Sequence, residues 1–259
     1  MMMKILESFL PRLYITLIPS HDGVKLHAEL RKNAKTIKRF EEGVFQNNSS
    51  LETKIRTMER ESAVTYIAFL ESEATQGVLT DCRDTVEMDS GSFERICIDN
   101  RWGLFIAKDD LFERQKAYKS IGLDFLFSPF SILYSFYHEK LQNSDGLYLL
   151  LGSDFILSCV YKNGLLLFGE HTRMQEILSA FEEINLLDIY VEAIQSTVKA
   201  FYDSKADETM FIEKIYIADA LNFDADLENR LEEVLFAEIE KRSVDLSHEL
   251  VLLCEEELK

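Results

Sequence analysis

The 259-residue chain carries 28 lysines and arginines against 46 aspartates and glutamates, a formal net charge of −18. A chain this acidic repels phosphate backbones and anionic headgroups, which disfavours nucleic acid and direct lipid docking as primary functions. The charge is that of a solvated acidic surface; its sharper reading is a face for a basic protein partner. With 47 % hydrophobic residues, the chain can bury a core as one large domain or two small ones.

In chain order, the opening MMMKILESFLPRLYITLIPS lacks the long apolar region and small-residue cleavage site of a signal peptide. Within it RLYITLI (12–18) reads as a strand, HDG (21–23) as a turn and VKLHAEL (24–30) as the returning strand. Residues 31–45 are basic and then acidic, and 46–54 are polar and loop-like. SAVTYIAFL (62–70) reads as a buried strand, CRDTVEMDSGS (82–92) as a surface loop, and 94–110 as two short strands around Asn100 and Arg101. A helix follows over 110–120, capped by Asp109 or Asp110. Ser128 and Pro129 start an aromatic-rich helix that runs to about residue 142.

GLYLLLGSDFILSCVYKNGLLLFGE (146–170) is a strand hairpin with a tight turn at Asn163–Gly164. Residues 173–203 are mostly helical, with Ile189, Ala193, Val198 and Phe201 on one side. IEKIYIADA (212–220) is a strand that ends at a turn near Asp219, and 225–242 reads as one amphipathic helix. The tail SHELVLLCEEELK stops on charge without a clear closing element, a pattern expected of a fragment of a longer protein. No run of 18 apolar residues is present, so no membrane helix is expected and the compartment expected is the cytoplasm.

Four cysteines, Cys82, Cys97, Cys159 and Cys254, are widely spaced without a CxxC. Cys97 and Cys159 fall in apolar alternating runs and are expected as core thiols, without a disulfide framework. The five histidines show no metal-ligand spacing. GxGxxG, GxxxxGKS, HExxH and GxSxG are all absent, which disfavours a dinucleotide enzyme, a P-loop ATPase, a zinc protease and a lipase.

Four segments carry a family resemblance: 106–137, 145–172, 191–203 and 212–235. Their order and pattern resemble the actin/Hsp70/hexokinase-like ATPase fold. Within it they look like the cytoplasmic assembly proteins of type IV pilus and type II secretion platforms, the PilM and GspL families. The resemblance implies an α/β, actin-like architecture over about 104–240. The expected organisation is a smaller divergent lobe over 1–100 and an actin-like lobe over 101–259.

The same resemblance would place a nucleotide at Gly152, Asp154 and Asp219, with Mg²⁺ beside Asp154. The departures weaken this. Leu151 stands where nucleotide-binding members present an aspartate, no threonine follows the turn, and Ala218–Asp219–Ala220 replaces a glycine pair. An extra acid and two methyl groups oppose the approach of phosphates. The plain reading makes Asp154 a turn acid and Asp219 a loop cap.

The function expected is therefore a non-catalytic cytoplasmic scaffold, peripheral to the inner membrane, with neither ATP nor Mg²⁺ as a working cofactor. Its expected partners are an inner-membrane assembly protein, or the cytoplasmic segment of one, and the assembly ATPase. Trp102, Phe127, Phe130, Tyr134 and Tyr137 are the candidate partner contacts; the plain alternative for them is core packing. The alternative function is an ATP-dependent phosphotransferase or ATPase with a divergent site.

Overall fold

The computed structural model describes residues 10–40, 43–83, 91–174, 177 and 185–259. They divide into two compact units. Unit 1 comprises residues 1–71, 112–132 and 245–259, and unit 2 comprises 72–111 and 133–244. The boundary expected after residue 100 falls inside unit 2, at the turn of a hairpin, because neither unit is one continuous stretch.

Unit 1 is built on a sheet of β1 (Arg12–Ser20), β2 (Gly23–Lys32), β3 (Lys35–Arg39), β4 (Gly43–Phe45), β5 (Val64–Leu70) and β9 (Phe125–Phe127), in the order β3-β2-β1-β5-β9 with β4 on β2. β1 pairs antiparallel with β2 and parallel with β5. As a central strand it is buried from Leu13 to Ile18 on both faces. Leu13, Ile15 and Leu17 form a core with Leu51, Ile55 and Met58 of α1 (Asn48–Glu59).

The alternate face, bearing Tyr14 and Thr16 with their partners Glu29 and His27, is polar, and α6 (Leu246–Glu257) lies on it. Buried Leu250, Val251 and Cys254 anchor α6, and Arg31 reaches its Glu255 at 3.2 Å. The tail thus forms a regular helix, capped by the Asp245 carboxylate, which accepts from the Ser247 amide at 3.0 Å.

Unit 2 repeats that strand order. Its sheet runs β12 (Leu165–Arg173), β11 (Phe155–Lys162), β10 (Gly146–Leu151), β13 (Lys214–Asp219) and β14 (Glu238–Ser243). β10 is again central, antiparallel to β11 and parallel to β13. One face, with Leu147, Leu149, Leu151, Ile215 and Ile217, packs with residues of α4 (Leu186–Ser204) and α5 (Ala225–Leu235). On the other lies a tyrosine layer. Tyr148 stacks on Tyr216 at 4.6 Å and meets Tyr137 of α3 (Pro129–Leu141) edge-on at 5.1 Å.

A separate antiparallel sheet, β6 (Gln76–Leu79), β8 (Trp102–Ala107) and β7 (Phe93–Ile98), completes unit 2. α2 (Lys108–Ala117) follows β8, and both α2 and α3 span the division between the units.

Three expectations are corrected. The polar stretch 46–54 opens α1, because Asn47 caps it (its Oδ1 accepts from the Ser50 amide at 2.9 Å) and Leu51, Ile55 and Met58 form a buried stripe beneath the polar residues. The helix expected over 225–242 stops at Leu235. Phe236 turns left-handed, and residues 238–243 pair in parallel with β13, so sheet pairing overrides a helical spacing that Ile239 would have continued.

Cys97 is not a core thiol: it lies exposed on β7 and is disulfide-bonded to Cys82, whereas Cys159 and Cys254 are buried and free. Most of the loop expected over 82–92 lies outside the described residues. The bridge spans 15 residues of sequence, for which loop closure contributes about 3 kcal/mol. Thermal melts with and without dithiothreitol are expected to show a lower midpoint for the reduced protein; equal midpoints would remove the bridge from the stability of unit 2.

Candidate functional site

The fold brings the sequence-predicted nucleotide residues together at one end of the unit 2 sheet. Gly152, Ser153 and Asp154 form the turn from β10 to β11, and Asp219 ends β13 beside Leu151. The Gly152 amide donates to the Phe155 carbonyl at 3.0 Å and closes the turn. The Phe155 ring lies directly over Gly152, in the space a side chain there would fill. Tyr190 of α4, fully buried, donates its hydroxyl to the Gly152 carbonyl at 2.5 Å, with the Ser153 carbonyl at 3.3 Å. Burial, and then the carboxylates of Asp154 and Asp219, push the Tyr190 phenol above its ordinary value, so it stays a neutral donor.

Asp219 is committed in the same way. Its Oδ1 accepts from the amides of Leu221 at 2.9 Å and Asn222 at 3.0 Å, and its Oδ2 from that of Phe223 at 2.8 Å. Successive amides aimed at one point form the kind of nest that elsewhere holds a phosphate oxygen; here a carboxylate of the chain fills it. The Phe223 ring packs edge-on against Tyr190 at 5.2 Å. Asp154 is buried, and its carbonyl accepts from the Met174 amide at 2.7 Å. The turn is thus held by a glycine under a ring, a tyrosine on the turn carbonyls and an acid on the adjoining loop.

Tyr190 and Phe223 are not among the residues the sequence singles out. A tyrosine next to Ile189 on the apolar side of a helix, facing a sheet whose turn has spare carbonyls, was the available signal. In unit 1 the corresponding β1–β2 turn is Ser20 to Gly23, where the Ser20 hydroxyl donates to the Gly23 carbonyl at 3.1 Å and His21 pairs with Asp22 at 3.1 Å on the surface. His171, half-buried on β12, stacks on Phe155 at 6.0 Å, and burial followed by the Arg173 charge lowers it to about 4, so it is neutral at physiological pH. Among the described residues no three His, Cys, Asp or Glu side chains converge as a metal centre.

The aromatic candidates are mostly consumed by packing. Trp102, Phe127, Phe130 and Tyr137 are all buried, and Phe127 ends β9 rather than lying on the helix. Trp102 packs edge-on against Tyr134 at 5.7 Å, and the half-buried Tyr134 donates its hydroxyl to Asp99.

Two family models match, both described only as domains of unknown function: DUF8569 over residues 9–134 and DUF8341 over residues 178–259. No curated relative matches the sequence. Among solved structures, a Bacteroides thetaiotaomicron protein with an actin-like ATPase fold and unknown function superposes with a TM-score of 0.60 at 13 % identity, covering 96 % of this chain and 98 % of that one. The PilM–PilN type IV pilus biogenesis complex contains a chain that superposes with a TM-score of 0.57 at 12 % identity, covering 88 % of each. Among the described residues no helix is long and apolar enough to cross a membrane. The chain has the actin-like ATPase fold, and its two central sheets repeat one strand order.

Proposed function

We propose that this chain is a non-catalytic actin-like scaffold that holds a protein partner in a bacterial pilus- or secretion-type assembly machine at the inner membrane. One observation carries the first half of that reading. Both elements that would receive a nucleotide in unit 2 are bonded internally, the turn by Tyr190 and Phe155 and the β13 loop by Asp219. Phosphoryl transfer needs groups that hold Mg²⁺ and neutralise phosphate charge; the Asp219 carboxylate and the Gly152 carbonyl are instead spent on the fold. The partner half is supported by the likeness in fold to a chain of the PilM–PilN complex and by the acidic surface, which suits a basic cytoplasmic segment or the assembly ATPase.

Isothermal titration with ATP·Mg²⁺ is expected to give no heat at micromolar concentrations, and phosphate release is expected to stay at the blank rate. Micromolar binding that disappears in Asp154→Ala would instead establish the ATP-dependent phosphotransferase or ATPase. Crosslinking in native membranes is expected to join the chain to an inner-membrane assembly protein; recovery of none, together with turnover of a small molecule, would remove the scaffold reading.

A further inference from the structure

Phe236 is the most exposed large apolar residue described, 91 % open to solvent. It also holds a left-handed backbone at φ 53°. Bulky side chains rarely adopt that conformation, and glycine is the usual residue where a helix ends this way, as α5 does. The position thus breaks two local preferences at once, and such conflicts concentrate at functional sites.

Phe236 does not stand alone. Phe211 is 75 % exposed and sits just before β13, as Phe236 sits just before β14. The two strands run parallel, with Lys214 opposite Glu238 and the Glu238 amide donating to the Glu213 carbonyl at 2.8 Å. Both phenylalanines therefore emerge at the same end of the sheet. Tyr202, at the end of α4 and 43 % exposed, lies beside Phe211, its hydroxyl accepting from the Ile212 amide at 3.0 Å. The surroundings are acidic: Glu213, Glu232, Glu233 and Glu238 are all exposed, and among the described residues only Glu238 of these four meets a cation, Lys214 at 2.9 Å.

We infer that Phe211, Phe236 and Tyr202 form a docking patch for a protein segment that presents apolar side chains flanked by lysine or arginine. The rings supply the apolar anchor and the unpaired carboxylates select the basic flanks. The patch lies within unit 2 and stands apart from the turn at Gly152, so it holds whether or not that turn takes a nucleotide.

The test pans the full chain against a random peptide library displayed on phage and measures the enriched peptides by fluorescence anisotropy. Enriched sequences are expected to combine aromatic or aliphatic residues with lysine or arginine. Phe236→Gly with Phe211→Ser should weaken them by at least about tenfold, and Glu232→Lys with Glu233→Lys should weaken them less and flatten the dependence on salt. Glycine suits the left-handed position, so the first variant should melt no lower than the parent. Enrichment of no peptide, of peptides without basic residues, or of peptides indifferent to a folded double variant overturns the inference. So does sedimentation showing a dimer that the double variant dissociates, since a second copy would then cover the patch. ATP titration is read separately, so either proposal can fail alone.

Discussion

Asp219→Ala is expected to destabilise the protein by about 4 kcal/mol, because the buried carboxylate accepts from three backbone amides and alanine accepts from none. Asp219→Asn keeps one acceptor oxygen and should lose about half as much. Urea unfolding followed by circular dichroism measures both. The variant also tests what the loop is. If the three amides form an anion nest already filled from within, sulfate should restore part of the loss in Asp219→Ala and do nothing for the parent. A loss below about 1 kcal/mol would mean that the loop holds its shape without the acid.

The second large effect belongs to unit 1. Glu29 is fully buried beneath α6. It accepts from Thr36 at 2.8 Å and faces Arg39 at 3.2 Å, His27 at 3.3 Å, His248 at 3.5 Å and Arg31 at 3.7 Å. Burial alone would raise its carboxyl; the hydrogen bonds from Thr36 and His27 and the nearby His248 and Arg39 outweigh it, and the group lies below its ordinary value. Glu29→Ala removes the buried acceptor that Thr36, His27, Arg31 and Arg39 share and should cost about 3 kcal/mol.

The sign of the pH dependence follows. A depressed carboxyl stabilises the fold fully above its unfolded value, near pH 4, and the contribution disappears as pH falls through the lower folded value. The parent should therefore lose stability steeply below about pH 4, and Glu29→Gln should show a shallower acid limb. Parallel acid limbs in the two proteins would separate Glu29 from acid unfolding.

The fold class was legible because the 146–219 segment keeps apolar strand runs around a helix, and the structure places 146–173 and 214–219 in one sheet; the turn at Gly152–Asp154 divides the first strand expected there into β10 and β11. The repeat in unit 1 was not legible. Its strands β1, β2 and β5 have the same pairing as β10, β11 and β13, but topology leaves no residue pattern when charged Glu29 and Arg31 occupy a buried face. The candidate turn could be located from Gly152 and Asp219, but its closure could not. Tyr190 lies 38 residues beyond Gly152, and only packing brings a phenol to that carbonyl. Trp102 and Tyr137 are residue types that anchor interfaces, but packing on Tyr134 and on Tyr148 buries them, and Phe236 falls in a spacing that reads as helix although the helix ends there.

The division of unit 1 into three pieces sets an order in time. Strands β1 to β5 leave the ribosome first, yet among the described residues the polar face bearing Thr16, His27 and Glu29 is met by residues 246–257. During synthesis of unit 2, that face waits for its helix with a carboxylate, one imidazole and a guanidinium on it, Glu29, His27 and Arg31. A polar waiting surface remains hydrated where an apolar one would attract other chains. The nascent chain can therefore linger half-built with less risk of aggregation, and α6 acts as the latch that ends the wait.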